Sequence, residues 1–252
     1  MKRVSARDAH AHDAARAGLA DLPPEITRQI EWVFRSDSGY RVTGRFYELV
    51  KRLTDLLLIA ATAPVWLPAL GMCCLVTKIE SPKAPVLFIQ QRTGRNGRRF
   101  PMYKIRTMVS NAEALLPGLK HLNERKWPEI RLRNDPRATH FGRILRRTHL
   151  DELPQLFNVL RGNLSLVGPR PTSAPVEAYE PWHVERLGVV PGITGLWQLV
   201  QDDVNDFDEH MLLDIIYVRK RCWLLDLRIL VRTAGIVLTR TWDQVRRGPP
   251  LP

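Results

Sequence analysis

The sequence predicts a mainly helical α+β protein held at a membrane: a proline-broken apolar helix that leaves by the face it entered, a short β-hairpin, and a cytoplasmic helical domain. Three observations predict it. Every residue from Leu56 to Thr77 is uncharged, which is about enough helix to reach across the hydrocarbon core of a bilayer. Gly94-Arg95-Asn96-Gly97 separates two short apolar segments, and an Asn-Gly pair favours a hairpin because both residues accept positive φ. Elsewhere the apolar residues recur at helical spacing, and 252 residues are enough to bury a full core.

Residues 1–44 are polar, with a Pro23-Pro24 break followed by Ile26, Ile30, Val33 and Phe34 at helical spacing. They read as a leader carrying one short amphipathic helix. No apolar stretch follows the first basic residues, so the start does not resemble a signal peptide. Residues 45–82 form the membrane element. By length and hydropathy it suits an ordinary transmembrane crossing, but Pro64 and Pro68 each remove a helix hydrogen bond and crowd the preceding turn, which predicts a sharp bend. Both flanks are also basic, with Arg45, Lys51 and Arg52 before and Lys78 and Lys83 after, whereas a single crossing biases positive charge to one side. A re-entrant helix broken at Pro64 satisfies both observations and keeps both ends cytoplasmic.

Residues 83–240 form the cytoplasmic domain, and 241–252 a C-terminal tail. Val86 to Gln91 and Arg99 to Ile105 are the hairpin strands, the second leading Lys104, Arg106 and Thr107 into a loop. Ser110 and Glu113 have capping-box spacing for a helix over about Asn111 to Lys126, which Pro117 kinks or splits. After the Asn134-Asp135-Pro136 turn, Phe141 to Thr148 reads as a short basic helix and Asp151 to Leu160 as the next. Proline is tolerated in a first helical turn, so Pro154 sets the start near Asp151 or Glu152. That places two adjacent carboxylates at the positive end of a helix dipole, which favours their ionised forms.

An acidic pair in a first turn is ordinarily a cap. Its company here points further: Arg146, Arg147, Arg161 and Arg170 lie near it in sequence, and Gly168-Pro169-Arg170-Pro171 makes a stiff turn that holds an arginine out. Arg170 can clamp a phosphate bidentately, and an ionised Asp151 is a candidate nucleophile or metal ligand. Pro191 to Gln198 is a second turn-rich loop. Phe207 to Val218 and Leu224 to Thr239 are helices, the latter either lying on a membrane surface with Arg228, Arg232 and Arg240 among headgroups or packing as an amphipathic core helix.

The formal net charge of +12 calls for an anionic partner, which leaves a nucleic acid, an acidic membrane surface or a phosphorylated metabolite. Cys73 and Cys74 are adjacent in an apolar run and Cys222 stands alone, so no disulfide framework exists and a reducing compartment is expected. The sequence holds no internal repeat, zinc-ligand spacing, nucleotide-binding glycine loop or serine or cysteine triad.

Taken together, these segments resemble the bacterial sugar transferases, monotopic polyprenyl-phosphate phosphoglycosyl transferases that initiate glycan assembly. The resemblance runs from about Lys51 to Thr239. Lys51-Arg52-Leu53-Thr54-Asp55 matches the family's basic lead into the membrane helix, Pro64 its helix break, and Gln91-Arg92-Thr93-Gly94 with Tyr103-Lys104-Ile105-Arg106-Thr107-Met108 its hairpin region. Leu145-Arg146-Arg147-Thr148, Leu150-Asp151-Glu152-Leu153-Pro154-Gln155 and Ser165-Leu166-Val167-Gly168-Pro169-Arg170-Pro171 follow in the family's order. The chain departs from the pattern with His149 and Ala63 in place of serines, and with Asp202-Asp203 after Gln198 where a basic residue is usual.

The resemblance implies that Asp151 attacks the sugar-linked phosphorus of a nucleotide diphosphate sugar, by default a uridine diphosphate sugar releasing UMP. A polyprenyl phosphate, undecaprenyl phosphate in bacteria, then takes the phosphosugar from the enzyme. Glu152, with Asp151, would hold Mg²⁺, and Arg170, Arg146, Lys104 and Arg106 would bind substrate phosphate. The implied place is the inner membrane with the catalytic domain on its cytoplasmic face and no nucleic acid partner; homo-oligomerisation is left open. Two other readings stand beside this one: a catalytically inactive scaffold of the same fold, and a membrane-anchored basic binding module.

Overall fold

The computed structural model describes residues 22–34, 44–119, 121, 132, 135–200 and 207–247. Helix α1 spans Pro24–Phe34 and buries the stripe Ile26, Ile30 and Val33. Helix α2, Gly44–Glu80, is 37 residues long, which at 1.5 Å per residue is roughly 55 Å. It runs without interruption through Pro64 and Pro68, where the sequence predicted a break. Side chains beside the prolines bond the backbone of the preceding turns: the Thr62 hydroxyl donates to the Leu58 carbonyl at 2.6 Å and the Trp66 indole to that of Ile59 at 3.0 Å. These bonds lie beside, and do not replace, the ladder bonds that the two prolines remove, which would have ended on the carbonyls of Ala60 and Pro64.

The buried residues of α2 are Tyr47, Asp55, Ile59, Trp66, Cys73 and Thr77, so one face is packed along nearly its whole length. The other faces expose Phe46, Leu57, Val65, Met72 and Ile79, each more than 60% accessible. Its most apolar 18-residue window has a mean hydropathy of 1.9 and is 17% buried. An uncovered apolar surface of this extent marks a contact with something other than water; this is the one helix among the described residues long and apolar enough to cross a membrane.

Strands β1 (Leu87–Thr93) and β2 (Arg99–Ile105) form the expected antiparallel hairpin, with Leu87 opposite Ile105 and Thr93 opposite Arg99. Asn96 and Gly97 in its turn have φ of 54° and 75°, the positive values that the Asn-Gly pair supplies. Helix α3 is Ala112–Leu119 and contains Pro117, and most of the remaining span to Lys126 lies outside the described residues. Helix α4, His140–Thr148, starts at Thr139, whose hydroxyl accepts the Gly142 amide at 3.0 Å, and ends at His149 in the left-handed region. A 3₁₀ turn at Leu150–Glu152 leads into α5, Gln155–Leu160. The helix therefore begins later than Pro154 suggested, because Pro154 is its N-cap and not a residue of its first turn.

A second sheet pairs β3 (Ser165–Val167) with β4 (Gly192–Thr194) in parallel, Ser165 opposite Gly192. Helices α6 (Leu196–Leu199), α7 (Phe207–Lys220) and α8 (Trp223–Arg247) follow. The largest core cluster joins Ile26, Ile30 and Val33 to Leu213, Ile216, Tyr217, Leu225 and Ile229. A second joins Ile59 and Trp66 of α2 to Phe100, Met102, Val159 and Leu164, and a third joins Cys73 to Ile105 and Leu145. Polar ties fix the base of α2 to the same body. Ser165 donates to Asp55 at 2.7 Å, Tyr47 and Lys51 to Asp226 at 2.7 and 2.9 Å, and Arg52 reaches the Leu160 carbonyl at the end of α5 at 2.9 Å.

Candidate active site

The site forms where α4, β2 and the turn after β3 meet. His149, with φ of 59°, reverses the chain at the end of α4 and delivers Asp151 and Glu152 on the 3₁₀ turn. Lys104 belongs to the inward face of β2, two residues after Met102 and four after Phe100, which strand alternation places on one side. Its Nζ lies 2.7 Å from Glu152 Oε1. Arg170 Nη2 reaches the same oxygen at 3.0 Å.

Close backbone contact positions Arg170. A Cβ on Gly192 would lie 2.1 Å from the Gly168 amide nitrogen, and one on Gly195 2.4 Å from the Gly168 carbonyl oxygen, so the turn before Pro169 fits only against glycines. The Arg186 guanidinium donates to the Arg170 carbonyl and to Asp214, the latter a fully buried ion pair at 2.6 Å. The guanidinium carbon of Arg170 lies 5.3 Å from the centre of the Trp197 ring, a cation–π distance.

These surroundings separate the two carboxylates. Burial opposes ionisation of Glu152, but the charges and hydrogen bonds of Arg170 and Lys104 outweigh it and hold this carboxyl well below the usual range. Burial has the upper hand at Asp151: it pushes the carboxyl up to about 6, Glu152 adds to the rise, and Lys104, Arg146 and Arg170 oppose it. Asp151 is 8% exposed, and no described side chain or backbone group is hydrogen-bonded to its carboxyl. The expectation that a helix dipole keeps Asp151 ionised is thus corrected. The residue sits ahead of α5 on a 3₁₀ turn, and desolvation dominates.

Arg146 stands beside this pair. Its Nε donates to the Thr107 hydroxyl at 2.8 Å, its Nη1 lies 3.9 Å from Asp135 Oδ2, and the Asp151 charge acts on it. Arg106 does not join the cluster: it donates to the Pro85 carbonyl at 2.9 Å and covers the Phe88 ring. Pro64 is exposed on the outward side of α2. Asp202 and Asp203 lie outside the described residues.

Several supporting residues were not singled out from the sequence: Thr107 and Asp135 around Arg146, and Arg186, Asp214 and Trp197 around Arg170. Asp135 read only as part of an Asn-Asp-Pro turn, and an Arg–Asp pair 28 residues apart, as Arg186 and Asp214 are, carries no local signal. Among the described residues no three His, Cys, Asp or Glu side chains cluster as a ready metal cage. Asp151 and Glu152 do suit a hard cation such as Mg²⁺, which is commonly held by one or two carboxylates together with substrate phosphates. A buried carboxyl with no hydrogen-bond donor, flanked by cations, can attack or bind a phosphorylated group.

The comparisons agree with this geometry. The family described as Bacterial sugar transferase matches residues 46–240. Galactosyl transferase CpsE of Streptococcus agalactiae is 38% identical over 205 residues, covering 81% of this chain and 44% of that protein. Undecaprenyl-phosphate galactose phosphotransferase of Salmonella typhimurium is 42% identical over 168 residues, 65% of this chain and 35% of that protein. UDP-glucose:undecaprenyl-phosphate glucose-1-phosphate transferase of Caulobacter vibrioides is 36% identical over 201 residues, 76% and 71% respectively. The chain spans less than half the length of the first two. With the motifs of the carboxylate turn and the Pro-Arg-Pro turn inside the matched region, the chain belongs to the bacterial sugar transferase family.

Proposed function

We propose that this chain transfers a sugar-1-phosphate from a nucleotide diphosphate sugar, by default a uridine diphosphate sugar, to a membrane polyprenyl phosphate through a phosphosugar-aspartate intermediate. The observation that carries this reading is the inequality of the two carboxylates. Glu152 is locked by Lys104 and Arg170, while Asp151 is buried, raised and without a hydrogen-bond donor among the described residues. A carboxylate with a raised pKa that is still ionised near neutrality is a stronger nucleophile than an ordinary one.

In the first step an Asp151 carboxylate oxygen bonds to the sugar-linked phosphorus, and the bond from that phosphorus to the bridging oxygen breaks. Its electron pair leaves with the nucleoside monophosphate. In the second step a polyprenyl phosphate oxygen attacks the same phosphorus and the acyl phosphate bond breaks, regenerating Asp151 and giving a polyprenyl diphosphate sugar. Arg170, Lys104 and Arg146 stabilise charge on the phosphoryl oxygens. When bound, Mg²⁺, held by Asp151 and Glu152 with substrate phosphates, supplies further neutralisation of that charge.

The relatives from Salmonella and Caulobacter carry undecaprenyl phosphate in their names, which supports that lipid as acceptor. The packing of α2 supports an arrangement in which the helix enters one leaflet without crossing. Cys73, deep in its apolar stretch, shares a core cluster with Leu145 and with Ile105, the neighbour of Lys104, so a perpendicular crossing would draw the charged site into lipid. A helix lying along the domain brings a lipid phosphate beside Asp151 and leaves the catalytic domain on the cytoplasmic face of the inner membrane.

A two-stage experiment tests the reading. Without acceptor, purified protein and uridine diphosphate sugar should release at most one UMP per active site; adding undecaprenyl phosphate should then restart turnover. Continuous UMP release without acceptor, or none across a panel of sugars by folded protein, would overturn it.

A further inference from the structure

Lys104 and Glu152 meet from positions 48 residues apart, and Arg170 joins them from a third segment. These groups stand on β2, on the 3₁₀ turn before α5, and on the turn after β3. One residue outside the charged cluster ties all three segments together. Asn158, in α5, is fully buried, and its carboxamide lies along the outer edge of β2. Its Oδ1 accepts the Tyr103 amide at 3.1 Å and its Nδ2 donates to the Pro101 carbonyl at 2.7 Å. Its own carbonyl accepts the amides of Asn163 and Leu164 at 3.0 and 3.2 Å, where the chain turns from α5 towards β3.

Elementary chemistry explains the residue type. The Arg106 amide donates to the Val86 carbonyl, so the even-numbered residues of β2 bond to β1. Pro101 and Tyr103 therefore turn their backbone groups away from the hairpin. In a wider sheet a third strand would bond them. Here a carboxamide, which carries a donor and an acceptor in one plane, does so instead. Only one orientation of that amide serves both partners. An ionised aspartate lacks the donor, and leucine lacks both groups.

We propose that Asn158 is a positioning residue for phosphosugar transfer: by fastening β2 to α5, its carboxamide holds Lys104 in register with the Asp151-Glu152 turn. The inference rests on the transfer proposed above. Among the described residues the carboxamide bonds only backbone groups, so it acts through spacing. Tyr103 is the residue before Lys104, whose Nζ lies 2.7 Å from Glu152 Oε1. A slide of the strand by about 1 Å takes that ammonium out of hydrogen-bond reach. The apolar cluster that Phe100 and Met102 share with Val159 and Leu164 holds the face of β2. Being non-directional, it does not fix the position of the strand along its own axis. The two bonds from Asn158 do.

The test reads Lys104 directly. Amine acetylation of the full chain in detergent, mapped by mass spectrometry, compares the half-buried, paired Lys104 with exposed Lys83 as internal standard. Asn158→Leu strands two partly buried backbone groups and risks unfolding, so the variant of choice is Asn158→Ser, whose shorter side chain admits a water to them. In folded Asn158→Ser the ratio of Lys104 to Lys83 labelling should rise severalfold; an unchanged ratio overturns the proposal. The rate of adduct formation with a uridine diphosphate sugar should fall about tenfold in the native background and less than about twofold in Lys104→Met. Equal losses in the two backgrounds overturn the coupling to Lys104 and reduce Asn158 to a support of the fold. Native protein that forms no adduct, with the labelling ratio raised in the variant, upholds the joint and overturns the transfer reading. Hydrogen exchange needs no variant: a native Tyr103 amide that exchanges as fast as a solvent-exposed one overturns the joint.

Discussion

At the scale of single residues, the site is a pair of neighbours that the structure treats in opposite ways. Asp151 has a carboxyl raised from its ordinary 3.8 to about 6, so ionising it in the folded protein opposes folding. The contribution is absent below the ordinary value, grows as pH rises through the window, and is complete above about 6. Asp151→Asn should therefore abolish transfer yet stabilise the protein at neutral pH by on the order of 1 to 3 kcal/mol, read by chemical denaturation; a loss of stability would argue against a desolvated charge. The first transfer step needs the ionised form, so its rate should rise with pH through about 6. Lys104 is the strongest of the charges holding that carboxyl down. Lys104→Met should therefore move the acidic limb of the rate profile to higher pH, and an unmoved limb in an active variant would assign the limb to another group. The adjacency of the two carboxylates was plain in the sequence, whereas their division was not: it depends on Lys104, 48 residues earlier, and Arg170, 18 residues later.

At the scale of elements, legibility followed the length and periodicity of the signal. Asn96-Gly97 announced the hairpin and α1 its buried stripe, although nothing local said that the stripe joins α7 and α8. Strands β3 and β4, three residues each, are too short for alternation to show, and their pairing depends on a close approach of Gly168 and Gly192 that no sequence window contains. The start of α5 was placed too early because the rule allowing proline in a first turn also allows it one residue outside, as N-cap. Gly192→Ala tests the role of the second sheet. Its Cβ would meet the Gly168 backbone at 2.1 Å, so it should destabilise by roughly 1 to 3 kcal/mol and, by shifting the turn that bears Arg170, lower the adduct-forming rate of the protein that still folds. A wild-type rate and melting temperature would show that the turn can relax.

At the scale of the molecule, the long apolar helix was legible, whereas the break expected at Pro64 is not found, and the packing of Ile59 and Trp66, on either side of that proline, against Phe100, Met102 and Val159 carries no local signal in the sequence. One face of α2 packs on the hairpin and α4 while the others stay apolar and uncovered, and the proposed arrangement, with the domain and the helix on one side of the membrane, makes a direct prediction. Single cysteines placed at Arg45 and Lys83, in a chain freed of its three native cysteines, should both be labelled only from the cytoplasmic side in spheroplasts and inverted vesicles. Labelling of one from outside would make α2 a simple crossing. The claim on which the account turns is the covalent step, and mass analysis of the protein after incubation with a uridine diphosphate sugar and Mg²⁺ tests it without acceptor lipid. The account predicts a gain of one phosphosugar mass, mapped to Asp151 and missing in Asp151→Asn; an adduct on another residue, or acceptor turnover by Asp151→Asn at the native rate, would contradict it.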